Sequence, residues 1–213
     1  MNWLKKTWKT LTVTEKVVFA AVLLFLGLIL SATSAQADHS YRHYVASTVH
    51  QMIDAGMSCS AVMIAPERAM TAAHCTGTES PALMVNGVKY PITEAYANPD
   101  RDLAVLIVPG APCPCAVVGI DAPLEGAWVA AVGYPHGVMR IVTYGEVQGR
   151  MVSPDDQKEY VIATTLAAPG SSGSGLFDAD GYLIGILSGG IYGERYLAMY
   201  TELLSVALTI PAK

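Results

Sequence analysis

Thr71-Ala72-Ala73-His74-Cys75 decides the reading of this chain once it is set beside Gly170-Ser171-Ser172-Gly173-Ser174-Gly175, far downstream. Between them lies Arg101-Asp102-Leu103-Ala104-Val105-Leu106, an acidic residue opening an apolar run. The order offers an imidazole, a carboxylate and a glycine-flanked hydroxyl. A serine hydroxyl is a poor nucleophile until an imidazole takes its proton, and the imidazole needs a carboxylate to fix its tautomer. Each piece alone is weak, because a lone His is most often packed or on the surface and Gly-Ser runs are common in linkers. The setting strengthens them. Leu176-Phe177-Asp178-Ala179-Asp180-Gly181-Tyr182-Leu183-Ile184-Gly185-Ile186 follows the glycine motif and reads as a hairpin turning at Asp-Gly. A linker is not embedded between strands in this way.

At these residues the chain resembles the chymotrypsin-like (trypsin-type) serine proteases. Within them, Ala167-Ala168-Pro169 leading into the glycine motif and Val132-Gly133-Tyr134-Pro135 are similar to the HtrA-like branch and its small bacterial and phage relatives. The similarity runs from about Cys59 to Tyr200. It implies an all-β fold, a chymotrypsin-like double six-stranded β-barrel with the active site between the barrels. It also implies a serine endopeptidase that hydrolyses protein or peptide substrates through an acyl-enzyme intermediate, with no cofactor.

The resemblance assigns roles residue by residue. His74 is the general base, then general acid towards the leaving amine. Asp102 orients it, while the rival Asp100 sits in the expected turn Asn98-Pro99-Asp100. Ser172 is the nucleophile, and the N–H groups of Gly170 and Ser172 form the oxyanion hole. Ser171 and Ser174 read as hydrogen-bonding loop residues. A Cys59–Cys75 disulfide braces the His loop. Leu166 stands at the floor of the substrate pocket, Ser188, Gly189 and Gly190 form one wall, and Ala198 lines the other. Leu166 gives no counter-charge, and burying a cationic head against it costs several kcal/mol. The expected cleavage therefore follows small to medium apolar residues such as Val, Ala or Leu. Acidic residues are the alternative, although Leu187 replaces the histidine such pockets commonly use.

Three departures from the family pattern carry information. Ser174 replaces the usual glycine, as in glutamyl-endopeptidase-like relatives. No segment of PDZ length follows the protease unit. Ser171 stands where digestive relatives carry an aspartate that pairs with a newly released amino terminus, and serine cannot form that ion pair. The implied enzyme does not depend on that activation switch.

Lys5, Lys6, Lys9 and Lys16 precede an uncharged apolar run, Val17 to Leu30, and Ala35-Gln36-Ala37 then offers small residues before Asp38. This is the order of a secretory signal peptide cleaved after Ala37. Ser31 to Ala35 extend the uncharged stretch, so an uncleaved membrane anchor is the alternative. The expected locale is exported, periplasmic or secreted, with membrane contact only through this segment. Cleavage leaves 176 residues with 9 basic and 17 acidic side chains. That balance, without basic clusters, argues against nucleic acid as a partner. The expected organisation is a signal segment at 1–37, a first barrel at 38–116 and a second at 117–213.

Four cysteines in an exported chain read as disulfide material. Cys113 and Cys115 could close a small ring, stay reduced, or pair between chains. Cys-x-Cys lacks two further ligands, and no metal site is expected. His39, His43, His50 and His136 read as surface or strand-edge histidines. Short β-rich runs, at Ala82–Val88, Leu103–Val108, Ala127–Val132, Ile141–Val147, Tyr160–Thr165, Tyr182–Leu187 and Leu197–Tyr200, alternate with turns. Pro109–Cys115 is the expected crossover, and Thr201–Ile210 is compatible with a closing helix or a strand. Two rival functions remain. A pseudoprotease binding module would not need the complete triad, and an α/β-hydrolase would order it Ser, Asp/Glu, His.

Overall fold

The computed structural model describes residues 12–54, 56–77, 79–191 and 197–203, with 32–39 as backbone only. The chain divides into two units, residues 1–41 and 42–213. The first is dominated by α1 (Val13–Ser47), whose last turns belong to the second unit. A capping box opens α1: Glu15 N–H donates to Thr12 Oγ1 at 3.3 Å and Thr12 N–H to Glu15 Oε2 at 2.8 Å. Val13–Ser31, 19 residues of mean hydropathy 2.3, is long and apolar enough to cross a membrane. The helix continues past Ala37, so the expected cleavage position lies inside it. Its end is fastened within the second unit, where Tyr44 Oη donates to Cys115 O and accepts from Val117 N–H.

The second unit is built of antiparallel strands. The strands β1 (Val49–Asp54), β2 (Met57–Ala65), β3 (Arg68–Thr71), β4 (Ala82–Val85), β5 (Val88–Pro91), β6 (Glu94–Asn98) and β7 (Leu103–Ile107) form one sheet. Its order is β5-β4-β1-β2-β3-β7-β6, open at β5 and β6 among the described residues. The remaining strands are β8 (Trp128–Gly133), β9 (Ile141–Val152), β10 (Glu159–Ala163), β11 (Gly175–Phe177), β12 (Leu183–Ile191) and β13 (Leu197–Glu202). They close a barrel in the order β10-β13-β12-β11-β8-β9.

One closed six-stranded barrel with an open seven-stranded sheet corrects the expected pair of closed barrels. The cause is local. The run Ala82–Val88 is not one strand: Asn86 and Gly87 take φ of 51° and 81° and fold it into the tight hairpin β4–β5. That adds a strand, and β5 ends in Pro91, which suits an edge because it has no N–H to offer. The chain is mostly β rather than all-β, since α1 is a long helix.

Each half has its own apolar cluster. Met63, Leu83, Val85 and Leu106 are buried in the first, and Val129, Leu176, Ile184 and Tyr200 in the second. The middle of β2 is buried continuously from Cys59 to Met63 rather than alternately. Cys59, Ala61 and Met63 face the first core, while Ser60 faces the second half and hydrogen-bonds its Gly170 and Ser172. A strand covered on both faces loses the period-two pattern.

Residues 109–127 contain no strand and connect β7 to β8, as expected of a crossover. The Cα atoms of Cys113 and Cys115 lie 4.9 Å apart, within the span a disulfide bridges. Thr201 and Glu202 end β13, and 204–210 of the expected closing element lie outside the described residues. His50 is a correction: it is 2 % exposed in β1, not a surface residue, and its Nε2 has no hydrogen-bond partner among the described residues.

Candidate active site

Thr71 of β3 pairs with Ala104 of β7, so the segments flanking those residues meet at one end of the first sheet. His74 lies in a 3₁₀ turn, Ala73–Cys75, just after β3. Cys75 is bonded to Cys59 of β2 with an S–S distance of 1.97 Å and Cα atoms 6.3 Å apart, which anchors the turn. Asp102 closes a second 3₁₀ turn, Pro99–Arg101, in the left-handed conformation (φ 48°, ψ 47°) that Asp tolerates better than most residues. Asp100, the rival carboxylate, is exposed in that turn.

The two turns bring base and carboxylate together. Asp102 Oδ1 accepts from the His74 backbone N–H at 3.0 Å, and His74 Nδ1 lies 2.9 Å from Oδ2 and 3.0 Å from Oδ1. A proton on Nδ1 satisfies the carboxylate and leaves Nε2 with a lone pair, the tautomer a general base requires. Burial opposes ionisation of Asp102. It is outweighed by the hydrogen bonds from the His74 ring and backbone, by His74 charge and by the Ser188 hydroxyl, so the carboxyl is held below its ordinary value.

Ser188, read from sequence as a pocket wall, thus also supports Asp102. Its Oγ lies 3.0 Å from Thr201 Oγ1, which donates to Arg101 O at 2.8 Å. The Asp102 segment of the first half is therefore tied to β13 of the second. A reciprocal tie runs the other way, where Ser60 N–H of β2 donates to Ser172 O at 2.7 Å. These cross-ties set the spacing between residues contributed by the two halves, and nothing in the residue types of Thr201 or Ser60 announces it.

Ser172 is half-buried in the loop before β11. The His74 ring bonds among the described residues run to Asp102, with Ser172 Oγ outside them. Such a contact is often long without substrate and tightens when one binds. The loop demands glycine at two places. Gly173 (φ +84°) would put a Cβ 1.9 Å from Ser60 O, and Gly170 (φ +86°) would put one 2.8 Å from Tyr134 O. Backbone N–H groups of Ser171, Gly173 and Ser174 donate to Ala168 O, Leu187 O and Ser171 O. Among the described residues, those of Gly170 and Ser172 donate to no protein group, which leaves both N–H groups unspent.

The expected pocket residues are dispersed. Leu166 is 40 % exposed, its N–H donating to Thr143 Oγ1, and it lines a small void with Ile141, Ser171 and Ser174. Ala198 is wholly buried in the barrel core and pairs with Gly190 across β12–β13. A Cβ on Gly189 would come within 3.2 Å of Met199 Cε, so Met199 occupies the space that glycine leaves. Sequence reasoning overlooked Met199. On the far side of Gly170, His136 and Gly137 border a depression of about 510 Å³ that reaches Ser58 and Asp54.

Residues 59–186 match the family model of the trypsin-like peptidase domain. A probable periplasmic serine endoprotease, DegP-like, of Marinomonas sp. (strain MWYL1) is 32% identical over 122 residues, 54% of this chain and 24% of its own length. A protein of the same description from Ectopseudomonas mendocina (strain ymp) is 35% identical over 125 residues, 54% of this chain and 26% of its own. The chain thus spans about a quarter of these relatives. The Rv3671c protease of M. tuberculosis in its active form superposes with a TM-score of 0.71 at 20% identity, covering 79% of this chain and 81% of that one. The HtrA-type protease AlgW with a tripeptide gives 0.68 at 23% identity, covering 76% and 59%. These superpositions establish a chymotrypsin-like fold.

Proposed function

Because this chain belongs to the trypsin-like peptidase family, we propose that it is a serine endopeptidase acting through an acyl-enzyme intermediate. The observation that carries the proposal is the His74–Asp102 pair, two carboxylate oxygens within 3.0 Å of Nδ1, in a chain whose serine loop keeps two unspent N–H donors. In this reading Ser172 Oγ attacks the scissile carbonyl while His74 Nε2 takes its proton. Asp102 holds the ring and stabilises the imidazolium that forms. The Gly170 and Ser172 N–H groups receive the developing oxyanion, and His74 returns the proton to the leaving amine. Water then repeats the sequence on the acyl-enzyme. Removing one oxyanion donor typically costs about 3–4 kcal/mol of transition-state stabilisation.

Substrates are protein or peptide chains, and no cofactor enters the scheme. The half-exposed Leu166 and the Met199 thioether beside Gly189 favour small to medium apolar residues before the scissile bond. Halves divided at 38–116 and 117–213 each contribute to the site. The apolar α1 suits export, as a cleaved signal or as an anchor, and the DegP-like relatives are described as periplasmic.

A proteome-derived peptide library, digested by the protein and by Ser172→Ala, tests this reading. Cleavage by the first alone, after Val, Ala or Leu, is expected. Equal digestion by both proteins refutes the nucleophile, and a profile dominated by Lys/Arg or Glu refutes the pocket.

A further inference from the structure

Every carbonyl of the loop 169–172 is held from the protein side. Pro169 O accepts from His136 N–H at 2.6 Å, and Ser172 O from Ser60 N–H at 2.7 Å. Gly170 O accepts from Ser60 Oγ at 3.1 Å. Ser171 O accepts twice, from Ser174 N–H at 2.8 Å and from Ser174 Oγ at 2.5 Å. A trans peptide is planar, with its N–H pointing opposite its C=O. Fixing Ser171 O on Ser174 therefore aims the Ser172 N–H the opposite way, off the loop. Fixing Pro169 O does the same for Gly170 N–H.

Two hydroxyls take part, and both are buried: Ser60 is 0 % exposed and Ser174 3 %. A hydroxyl has one proton to give and two lone pairs to receive. Ser174 gives its proton to Ser171 O, the shorter contact, rather than to Ser60 Oγ at 3.4 Å. Ser60 Oγ is left to donate to Gly170 O while accepting from Tyr134 N–H at 2.9 Å. Space for this arrangement comes from a glycine on β8. A Cβ on Gly133 would sit 1.7 Å from Ser174 Oγ, so glycine at 133 and serine at 174 go together.

We infer that Ser174 and Ser60 are positioning residues that lock the oxyanion loop with buried hydroxyl hydrogen bonds. The lock is built by the fold itself. It stands in place of an ion pair to a released amino terminus, which Ser171, 3 % exposed and uncharged, cannot make. The inference rests on the proposed serine-endopeptidase activity.

Ser174→Ala and Ser60→Ala test it, using a peptide taken from the library digest. Ser174→Ala keeps the N–H bond to Ser171 O and loses one neutral hydrogen bond, so kcat falls roughly three- to ten-fold. Ser60→Ala strands Gly170 O and Tyr134 N–H, and its kcat falls further, on the order of ten- to a hundred-fold. KM stays within about two-fold, because the groups displaced act on the transition state. Inactivation by diisopropyl fluorophosphate, a small reagent whose phosphoryl oxygen uses the same N–H groups, slows by the same factor as kcat. The acid limb of the pH profile does not move, since the His74–Asp102 pair is untouched. An unchanged kcat and inactivation rate in folded Ser174→Ala overturns the inference. So does a loss no larger than the fraction of protein shown to be unfolded by melting. A parent protein that neither cleaves nor labels sinks the endopeptidase reading and this inference with it, whereas an active parent with indifferent variants sinks only the inference.

Discussion

His50 gives the fold a pH dependence that can be worked out in advance. Its ring is buried in β1, Nε2 has no partner among the described residues, and burial together with the Arg140 charge lowers its pKa from 6.5 to about 4. Between those values the unfolded chain binds a proton that the folded chain refuses, so stability falls as pH falls. Each tenfold change in proton affinity is worth about 1.4 kcal/mol, which makes the full effect about 3 kcal/mol, most of it lost before pH 4. At pH 5 the loss is about 2 kcal/mol, or about 4–8 °C in Tm for a domain of this size. Other carboxylates titrate nearby, so the assay is a difference. Thermal melts of the protein and of His50→Leu are compared from pH 7.5 to 5, both carrying Ser172→Ala to prevent self-digestion. The His50→Leu melts should decline less, by about 4–8 °C at pH 5, whatever its stability at pH 7.5. Parallel declines refute the buried neutral imidazole.

Three further outcomes follow from the same geometry. Cys59→Ala with Cys75→Ala opens a bridge of sequence separation 16 and should cost about 2–5 kcal/mol in denaturant unfolding; unchanged unfolding midpoints contradict a structural bridge. Gly173→Ala drives a Cβ to 1.9 Å from Ser60 O, so fluorophosphonate labelling should fall at least about 100-fold, and near-normal labelling contradicts the loop geometry. Ser188→Ala removes a hydroxyl that favours ionised Asp102, and kcat/KM should fall about three- to ten-fold; a wild-type value means that Ser188 does not support the carboxylate.

The chemistry-bearing segments were legible because they are local. His74 between Ala73 and Cys75, Asp102 at the head of an apolar strand, and the glycine-flanked Ser172 each declare themselves within a few residues. So does the Asp180-Gly181 turn, where Asp178 Oδ1 accepts from Asp180 and Tyr182 N–H. The strand list named five of the six barrel strands, β11 being legible only as an arm of the Asp-Gly hairpin, and was short in extent, since β9 and β12 run on to Val152 and Ile191. Asn86-Gly87 was a visible turn signal inside a run of apolar residues, and reading past it hid the β4–β5 hairpin. His50 illustrates a different limit. Whether one imidazole on a strand is buried depends on which sheet face is covered, and that is a tertiary fact. Ser60 and Ser174 are the same case: residue type does not say which carbonyl a serine will hold, and here both hydroxyls are buried because they hold carbonyls of a distant or neighbouring turn. The pocket was the least legible part. Ala198 and Met199 lie where β13 pairs with β12, and Leu166 follows β10, so their burial or exposure is set by tertiary packing that no local pattern encodes.

The most direct test of the account is to find which residue carries the adduct after fluorophosphonate treatment, by mass mapping of peptides from the parent protein, Ser172→Ala, His74→Ala and Asp102→Asn. The account predicts a single adduct on Ser172 in the parent, none in Ser172→Ala, and labelling slowed by orders of magnitude in the other two while all four remain folded. An adduct on Ser171 or Ser174, or labelling at the parent's rate in His74→Ala, contradicts it.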